Sequence, residues 1–179
     1  MSAITIIKKL EIQSCKSGLL SEFNRYQEIK RCWRKENGKW LLKDIVFTEQ
    51  WDDKEKEEKT IKLRKCLEGN GIVLGAFVGN NFIGFSSVSN RLFGSDDEYI
   101  NLELLHVSYE YRRMGIGKML FHGICGEVEM LGAKKLYITA NSSEETQAFY
   151  KSMGCIEAIE INQELFEKEP FDCHLEFCL

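Results

Sequence analysis

The segment from Arg112 to Lys118 has the residue types of an anion-binding turn. It reads Arg-Arg-Met-Gly-Ile-Gly-Lys, so three cations and two glycines fall within seven residues. A helix that begins here leaves unpaired backbone N–H groups and partial positive charge in its first turn, and both suit a pyrophosphate. Glycines at 115 and 117 allow phosphate oxygens to come close to the backbone. The segment therefore predicts a phosphate-binding site at the start of a helix.

Other interpretations of the glycine pair fit the chain less well. A dinucleotide-binding fold requires G-x-G-x-x-G early in a parallel sheet, whereas here Leu120 takes the third glycine position after an antiparallel hairpin. The spacing of a Walker motif is absent from the sequence. A plain turn between a strand and a helix explains the glycines but not the three cations beside them. We therefore favour phosphate binding.

The elements on either side should place this segment at a strand–helix junction. YINLELLHV (99–107) is typical of a strand. From Ile116 to Leu131 apolar residues recur at helical spacing, and Gly132 is suited to end the helix. The phosphate-binding turn thus lies between a buried strand and the first turn of an amphipathic helix.

Further elements complete the pattern. KLYITA (135–140) predicts a strand, and Ser142 with Glu145 predicts a capping box for a helix that ends at Gly154. The remaining predicted elements are a strand at 3–12, a loop with a short helix at 15–24, a hairpin at 25–51 around Asn37-Gly38, a capped helix at 52–68, a hairpin at 71–89, a polar loop at 91–98, and strands at 155–161 and 173–179. For 25–51 a helix-turn-strand is the alternative. This order predicts an α/β (α+β) fold, a mixed sheet with helices on its faces.

Composition predicts one domain over 1–179, since 179 residues that are 44% hydrophobic can bury a core. The net charge of −4 argues against nucleic acid as a partner, despite a basic run at 30–35.

No signal peptide is evident and no apolar stretch approaches the ~18 residues that cross a membrane, so we expect a cytoplasmic protein without a membrane partner. Seven cysteines without metal-ligand spacing predict reduced thiols and no metal, with Cys155 and Cys178 in the core.

Two segments together resemble the GNAT superfamily of N-acetyltransferases. LLHVSYEYRRMGIGKMLF contains the pattern Arg/Gln-x-x-Gly-x-Gly/Ala, with Arg112, Gly115 and Gly117 in its defining positions. ITANSSEETQAFYKSMGC is similar to a later family segment, in which a helix carries Phe-Tyr and a glycine precedes the next strand. The resemblance covers 71–161 as a CoA-binding core and leaves 13–70 as a variable acceptor-side segment. It implies a mostly antiparallel sheet of about seven strands, a V-shaped cleft between two central strands and an extra N-terminal hairpin.

The resemblance also implies an enzyme that transfers an acetyl group directly from acetyl-CoA to an amine, without a metal. The pyrophosphate would be held by Arg112, Arg113, Met114, Gly115, Ile116, Gly117 and Lys118. The pantetheine arm would lie along Leu105, His106 and Val107 and contact Asn141. In this arrangement the Val107 N–H would stabilise the developing oxyanion.

Glu103 and Tyr150 are the candidate catalytic residues. An alkyl amine, with a pKa of about 10.4, must lose a proton before it attacks, and Glu103 is the candidate base because it interrupts an apolar strand. Asn101 and His106 are alternatives on that strand, although simple alternation places His106 opposite to Glu103. The resemblance assigns Tyr150 as the acid that protonates the leaving thiolate. The alternatives without a catalytic role are that Glu103 is an exposed residue on a strand face and that Tyr150 packs on a helix face.

The acceptor is not specified by the sequence. Trp33, Trp40 and Trp51 could line a pocket for a cationic amine, or they could form core between the hairpin and the sheet. A small-molecule amine, a peptide N-terminus and a lysine side chain all stay open. So do an acyl-CoA-binding module without turnover and a structural domain that binds nothing. The last strand, HLEFCL, could pair within the chain or across a homodimer.

Overall fold

Residues 4–179 are described by the structure, a computed structural model. The strands are β1 (Thr5–Lys9), β2 (Gln27–Glu36), β3 (Lys39–Glu49), β4 (Ile72–Val78), β5 (Asn81–Phe93), β6 (Tyr99–Val107), β7 (Lys135–Ala140), β8 (Ile156–Glu157) and β9 (Cys173–Cys178). The α-helices are α1 (Asp53–Glu68), α2 (Ile116–Glu129), α3 (Glu144–Ser152) and α4 (Gln163–Lys168).

Seven strands form one sheet in the order β1-β4-β5-β6-β7-β9-β8, and β2 and β3 form a separate hairpin. β6 and β7 run parallel, and the other neighbours in the large sheet run antiparallel. β9 pairs within the chain, between β7 and β8. The predicted fold, a mostly antiparallel sheet with helices on its faces and an extra hairpin, is confirmed.

Helices cover both faces of the sheet. On one face, called the α2 face, Leu120 and Tyr150 of α2 and α3 share a core with Leu102 of β6. On the other, called the α1 face, Leu63 of α1 packs in a cluster with Leu104 of β6. Burial of the apolar side of each helix against the sheet drives this arrangement, because apolar surface removed from water is the main stabilising contribution.

β6 and β7 are paired over only part of their length. Residues 99–102 of β6 pair with 135–138 of β7, and the pairing ends beyond them. β6 continues along β5 to Val107, whereas β7 continues along β9 to Ala140. The two strands therefore open the V-shaped cleft that the family resemblance implies. The cavity in it has a volume of about 620 Å³.

The segment 25–51 forms the predicted β-hairpin rather than a helix-turn-strand. Glu36 pairs with Lys39, and the two residues between them have positive φ angles of 50° at Asn37 and 76° at Gly38. Positive φ at both central positions is the geometry of a two-residue hairpin turn, which asparagine and glycine adopt at low cost.

The basic run at 30–35 joins this hairpin to the start of α3. Arg31 donates from Nε and Nη2 to the two carboxylate oxygens of Glu144, at 2.9 and 2.7 Å. Arg34 donates from Nη1 to the Ser142 hydroxyl at 2.6 Å. These cations are therefore engaged within the chain, and they fix the hairpin beside the cleft.

The C-terminal region departs most from the prediction. The strand expected at 155–161 is limited to Ile156–Glu157. Ala158 still donates to the His174 carbonyl of β9 at 2.9 Å and packs in a cluster with Tyr99 and Tyr137. α4 was not predicted. It is capped by Asn162, whose side chain accepts a hydrogen bond from a backbone N–H in the first turn.

Three other boundaries also need correction. β5 extends to Phe93 through the predicted polar loop, because its last residues still pair with the start of β6. The N-cap of α3 is Ser143, which accepts from the Thr146 N–H, and not Ser142. The strand predicted at 3–12 is limited to Thr5–Lys9, and its first residue, Ala3, lies outside the described residues. The capping box of α1, formed by Asp52 with Glu55, is present.

The seven cysteines are all free thiols. Cys155 is buried, as predicted, but Cys178 is exposed at the end of β9, so its assignment to the core is wrong. Within 4–179 no three or more His, Cys, Asp or Glu side chains cluster in a way that could hold a metal ion. None of the helices in that range combines the length and the apolar composition needed to cross a membrane.

Candidate active site

α2 begins at the edge of the cleft. Its N-cap, Gly115, has a φ of 80°, a left-handed conformation that favours glycine. The N–H groups of the next residues, Ile116, Gly117 and Lys118, lie in the first turn and have no carbonyl partner within the helix. Lys118 and Arg112 line the cleft beside them. The predicted strand–helix junction is therefore present, and its donors and cations suit a pyrophosphate.

Two residues of the predicted phosphate site, Met114 and Ile116, do not line the cleft, whereas Arg113 does. The Arg113 side chain is 89% exposed, and its guanidinium lies 3.9 Å from the Glu145 carboxylate. Met114 is exposed to solvent, whereas the Ile116 side chain is buried in the core on the α2 face. A bound phosphate would therefore meet main-chain N–H groups along this stretch.

Glycine is required at the two positions of the turn for different physical reasons. Gly115 has open space around it and is required by its positive φ. Gly117 has an ordinary φ, but a Cβ there would lie 3.3 Å from the ring of Phe149 on α3. The absence of a side chain at Gly117 thus allows α2 to approach α3 at the cleft.

At the end of β6, every second residue directs its backbone N–H and C=O groups toward the cleft. The Ser108 N–H donates to a β5 carbonyl at 2.8 Å, so in this antiparallel ladder His106 also takes a hydrogen-bonded position. Leu105 and Val107 then direct their N–H and C=O groups away from β5. Accordingly, the Val107 carbonyl accepts a hydrogen bond from Arg112 Nε at 3.0 Å. Leu105 and Val107 can pair with an extended ligand, whereas His106 faces the cleft only with its side chain.

A β-bulge places Glu103 on an unexpected face. Ser87 pairs with Leu104 and Val88 with Leu102, so Glu103 is an extra residue in β6 without a partner on β5. Glu103 lines the cleft and also a second, smaller cavity against α1. His106 points to the same α1 face, so the expectation that these two side chains lie on opposite faces is wrong.

Tyr150 forms part of the cleft wall from α3. Its side chain is 7% exposed, and its ring packs against Phe121 and Phe149 with centroid distances of 6.2 and 5.1 Å. Burial, with a smaller contribution from Cys155, raises the pKa of the Tyr150 phenol above its usual value. The hydroxyl therefore stays protonated at neutral pH and can act as a proton donor.

His106 lies between aromatic rings on the α1 face of the cleft. Its ring centroid is 4.8 Å from that of Trp51 and 5.5 Å from that of Phe85. Burial is the main cause that lowers the pKa of His106 well below its usual value, and nearby cations add to it. Those cations are Arg25, Lys59, Arg112 and Lys62. His106 is therefore neutral at physiological pH, in a region of positive potential.

An ion pair between the buried Arg25 and the half-buried Glu49 connects the hairpin with the end of β7. Arg25 Nη2 lies 2.5 Å from Glu49 Oε2, and Arg25 Nη1 donates to Gln27 Oε1 at 2.9 Å. The other Glu49 oxygen accepts from Asn141 Nδ2 at 3.0 Å. Arg25, Gln27 and Asn141 line the cleft, together with Thr139 of β7. This network forms the wall of the cleft on the hairpin side.

Comparison with protein families decides the identity of the chain. The model of the acetyltransferase (GNAT) family matches residues 26–155. The chain belongs to this family. It is therefore an acyltransferase, in agreement with the resemblance carried by Arg112, Gly115 and Gly117. No curated protein matches the GNAT chain.

Solved structures with this GNAT fold include proteins that match the chain over nearly its full length. One named as a streptothricin acetyltransferase from Bacillus anthracis str. Ames, in complex with acetyl coenzyme A, has a TM-score of 0.70 at 15% identity, covering 98% of this chain and 99% of that one. A nourseothricin acetyltransferase has a TM-score of 0.66 at 14% identity, covering 96% and 95%. The PaiA N-acetyltransferase from Thermoplasma acidophilum, in complex with coenzyme A, has a TM-score of 0.57 at 13% identity, covering 98% and 99%. At these identities the likeness establishes the fold.

Sequence reasoning did not identify every residue that lines the cleft of this GNAT protein. Arg25, Gln27 and Thr139 line it but were not among the predicted site residues. Arg25 carried no local signal, because its partner Glu49 is 24 residues away and the hairpin alone brings them together. Thr139 lies on a strand whose end was predicted correctly, so its place in the cleft could have been inferred from the predicted opening beside β6.

Proposed function

We propose that the protein is an acetyl-CoA-dependent N-acetyltransferase that acetylates an amine of a small molecule by direct transfer. The observation that carries this proposal is the continuity of one cavity. The residues at the start of α2, the backbone of β6, Glu103 and Tyr150 all line the same cleft between β6 and β7. Donor-binding groups and candidate acid–base groups therefore meet in one place, as direct transfer between two bound substrates requires.

The donor fits the groups at the α2 end of the cleft. The first-turn N–H groups of α2, with Lys118, provide donors and positive charge for a pyrophosphate. The outward backbone groups of Leu105 and Val107 suit an amide-containing arm that extends along β6 like an added strand. Asn141 at the end of β7 lines the opposite wall. Acetyl-CoA carries a pyrophosphate and two amides, so it matches this order of contacts.

In the proposed reaction the amine nitrogen attacks the thioester carbon, and the C–S bond breaks after a C–N bond has formed. Glu103 accepts the ammonium proton, directly or through a water molecule, because it lines the cleft on the face away from α2. The Val107 N–H, which points away from β5, stabilises the negative charge that develops on the thioester oxygen. The products are an N-acetylated amine and the free thiol of CoA.

Tyr150 donates a proton to the leaving sulfur, and the second proton that the attacking nitrogen loses restores the phenol. Burial raises the pKa of the phenol, so Tyr150 holds its proton at neutral pH. Because a thiolate is a weaker base than a phenolate, the transfer requires the hydroxyl to lie directly against the sulfur. Packing against Phe121 and Phe149 holds the ring in place, so the hydroxyl need not be ordered during the reaction.

The proposed acceptor side is the segment 13–70, which contributes Arg25 and Gln27 to the cleft and Trp51 to its aromatic surroundings. The hairpin is fixed beside the cleft by Arg31 and Arg34. An acceptor side that is closed off by the hairpin suits a compact acceptor better than a protein surface. We therefore prefer a small-molecule amine to a peptide N-terminus or a lysine side chain.

The proposal is tested with pure protein, acetyl-CoA and a panel of amines, by measuring released CoA with a thiol reagent. Streptothricin and nourseothricin belong in the panel, because two similar structures are named for them. Amine-dependent CoA release that gives a stoichiometric amount of N-acetylated product supports the proposal. CoA binding by calorimetry without release for any amine would instead indicate a binding module. No stabilisation by CoA in a thermal melt would reject both functions.

A further inference from the structure

Arg25 is a cation that the fold buries inside the cleft. Its side chain is 9% exposed, although it lines the cavity. Burial of a guanidinium is unfavourable unless its charge and its donors are matched, so a natural protein retains one mainly where it has a purpose. Burial lowers the pKa of Arg25, and the carboxylates of Glu49 and Glu145 partly oppose this effect. The guanidinium still carries its charge at neutral pH.

The hydrogen bonds of Arg25 within the chain leave donors unused. A guanidinium has five N–H donors in a planar arrangement. Nη1 donates to Gln27 and Nη2 to Glu49, whereas Nε is buried without a hydrogen-bond partner among residues 4–179. Glu49 also accepts from Asn141, so its charge is shared between two donors. Three of the five donors, namely Nε–H and one N–H on each terminal nitrogen, therefore have no partner among residues 4–179.

The surroundings favour an anion at this place. Lys59 lies over the Trp51 ring at 5.4 Å, and Arg25 lies 5.7 Å from the same ring. Across the part of the chain that the structure describes, the recorded ion pairs do not include Lys59, Lys62 or Arg112. These cations, with Arg25, lower the pKa of His106, and the carboxylates of Glu103 and Glu145 also line the cleft.

We propose that Arg25 recognises a carboxylate on the acceptor, so that the acceptor class is an amino acid or a similar small amine that carries a carboxylate. This inference rests on the proposed function and names its substrate class. The planar guanidinium suits a carboxylate, which it can bind through two N–H donors. Arg25 acts here in recognition, and the acid–base groups remain Glu103 and Tyr150.

The test compares acceptors that differ only in the carboxylate: glycine, β-alanine and 4-aminobutyrate, each with its primary amide. For the wild-type enzyme we expect kcat/KM for at least one acid to exceed that of its amide by roughly tenfold to a hundredfold. In Arg25→Gln this ratio should fall to about one or below, with KM for acetyl-CoA unchanged. Arg25→Lys should give an intermediate ratio, because it keeps the charge but loses the planar donors.

Two variants control for folding. Lys43→Gln removes an exposed ion pair with Glu36 inside the same hairpin, away from the cleft, and should keep the wild-type ratio. Arg25→Gln combined with Glu49→Gln removes both charges of the ion pair, so no unpaired carboxylate remains to destabilise the fold. A wild-type enzyme that shows no acid preference, or an Arg25→Gln variant that keeps it, would overturn the inference. If Arg25→Gln changed only the KM for acetyl-CoA, Arg25 would bind the donor, and the inference would also be overturned.

Failure of the proposed function gives a different result. If no amine is turned over, thermal melts in saturating CoA compare 4-aminobutyrate with 4-aminobutanamide. A larger rise in Tm with the acid, absent in Arg25→Gln, would support the carboxylate site in a protein without turnover. Equal shifts for the two compounds, or none, would refute the site.

Discussion

Replacement of Tyr150 by phenylalanine removes one oxygen atom and keeps the aromatic ring. The contacts of the ring with Phe121 and Phe149 remain available, so packing of the core should be preserved. The hydroxyl is not among the fully buried unsatisfied atoms of residues 4–179. We therefore expect the free energy of unfolding to change by less than about 1 kcal/mol.

The expected effect on catalysis is much larger. A positioned general acid contributes roughly 10²- to 10⁴-fold to the rate, which corresponds to about 2.7–5.5 kcal/mol of transition-state stabilisation. Because burial raises the pKa of Tyr150, the phenol is protonated throughout the neutral range. The ratio of wild-type to variant kcat should therefore stay constant between about pH 6 and pH 8.

The assay measures kcat by CoA release and CoA affinity by calorimetry for the same preparations. Tyr111→Phe is the matched control, because Tyr111 packs against the same core but does not line the cleft. An unchanged kcat in Tyr150→Phe would refute the acid role. A loss of kcat accompanied by an equal loss of CoA affinity would show instead that Tyr150 positions the donor.

The base, the glycine turn and the buried histidine each give a further prediction. Glu103→Gln should lower kcat by about 10²-fold or more at unchanged CoA affinity, because an amide cannot accept the ammonium proton; steady-state rates that stay at the wild-type level would exclude Glu103 as the base. Gly117→Val should weaken CoA binding and cost about 1–3 kcal/mol of stability in urea denaturation, because the new side chain meets Phe149; full CoA affinity in calorimetry would contradict this packing. Because the pKa of His106 is lowered in the folded state, the unfolded state binds more protons as the pH falls below about 6.5, and stability should fall with it. In urea denaturation at several pH values, the free energy of unfolding of His106→Gln should fall less steeply with decreasing pH than that of the wild type. The same dependence on pH in both proteins would show that burial of His106 does not cause the loss.

The elements with strong local signals could be predicted from the sequence. β6 and β7 begin and end at the predicted residues, because each is an apolar run bounded by polar or turn-forming residues. The turn at Asn37-Gly38 and the capping box of α1 are also present as predicted. In each case a few neighbouring residues determine the local conformation, so distant parts of the chain are not needed to anticipate it.

The parts that could not be predicted depend on distant contacts. The C-terminal end of β8 lies where Ala158 packs with Tyr99 and Tyr137, which belong to other strands. The ion pair of Arg25 with Glu49 exists only because the register of the hairpin brings the two ends together. Neither fact has a local sequence signature, since alternation and propensity describe a strand without identifying its neighbours.

The bulge at Glu103 changes the question of the catalytic base. Strict alternation separates Glu103 from His106, but the extra residue turns both side chains to the α1 face, where the acceptor segment lies. The two candidates can then be separated by the kcat of single variants. His106 has a strongly lowered pKa and is enclosed by the rings of Trp51 and Phe85, whereas Glu103 also lines the second cavity beside α1, through which a proton can leave. If Glu103 is the base, Glu103→Gln should lower kcat by about 10²-fold or more, and His106→Gln should lower it far less. The reverse result would transfer the role to His106.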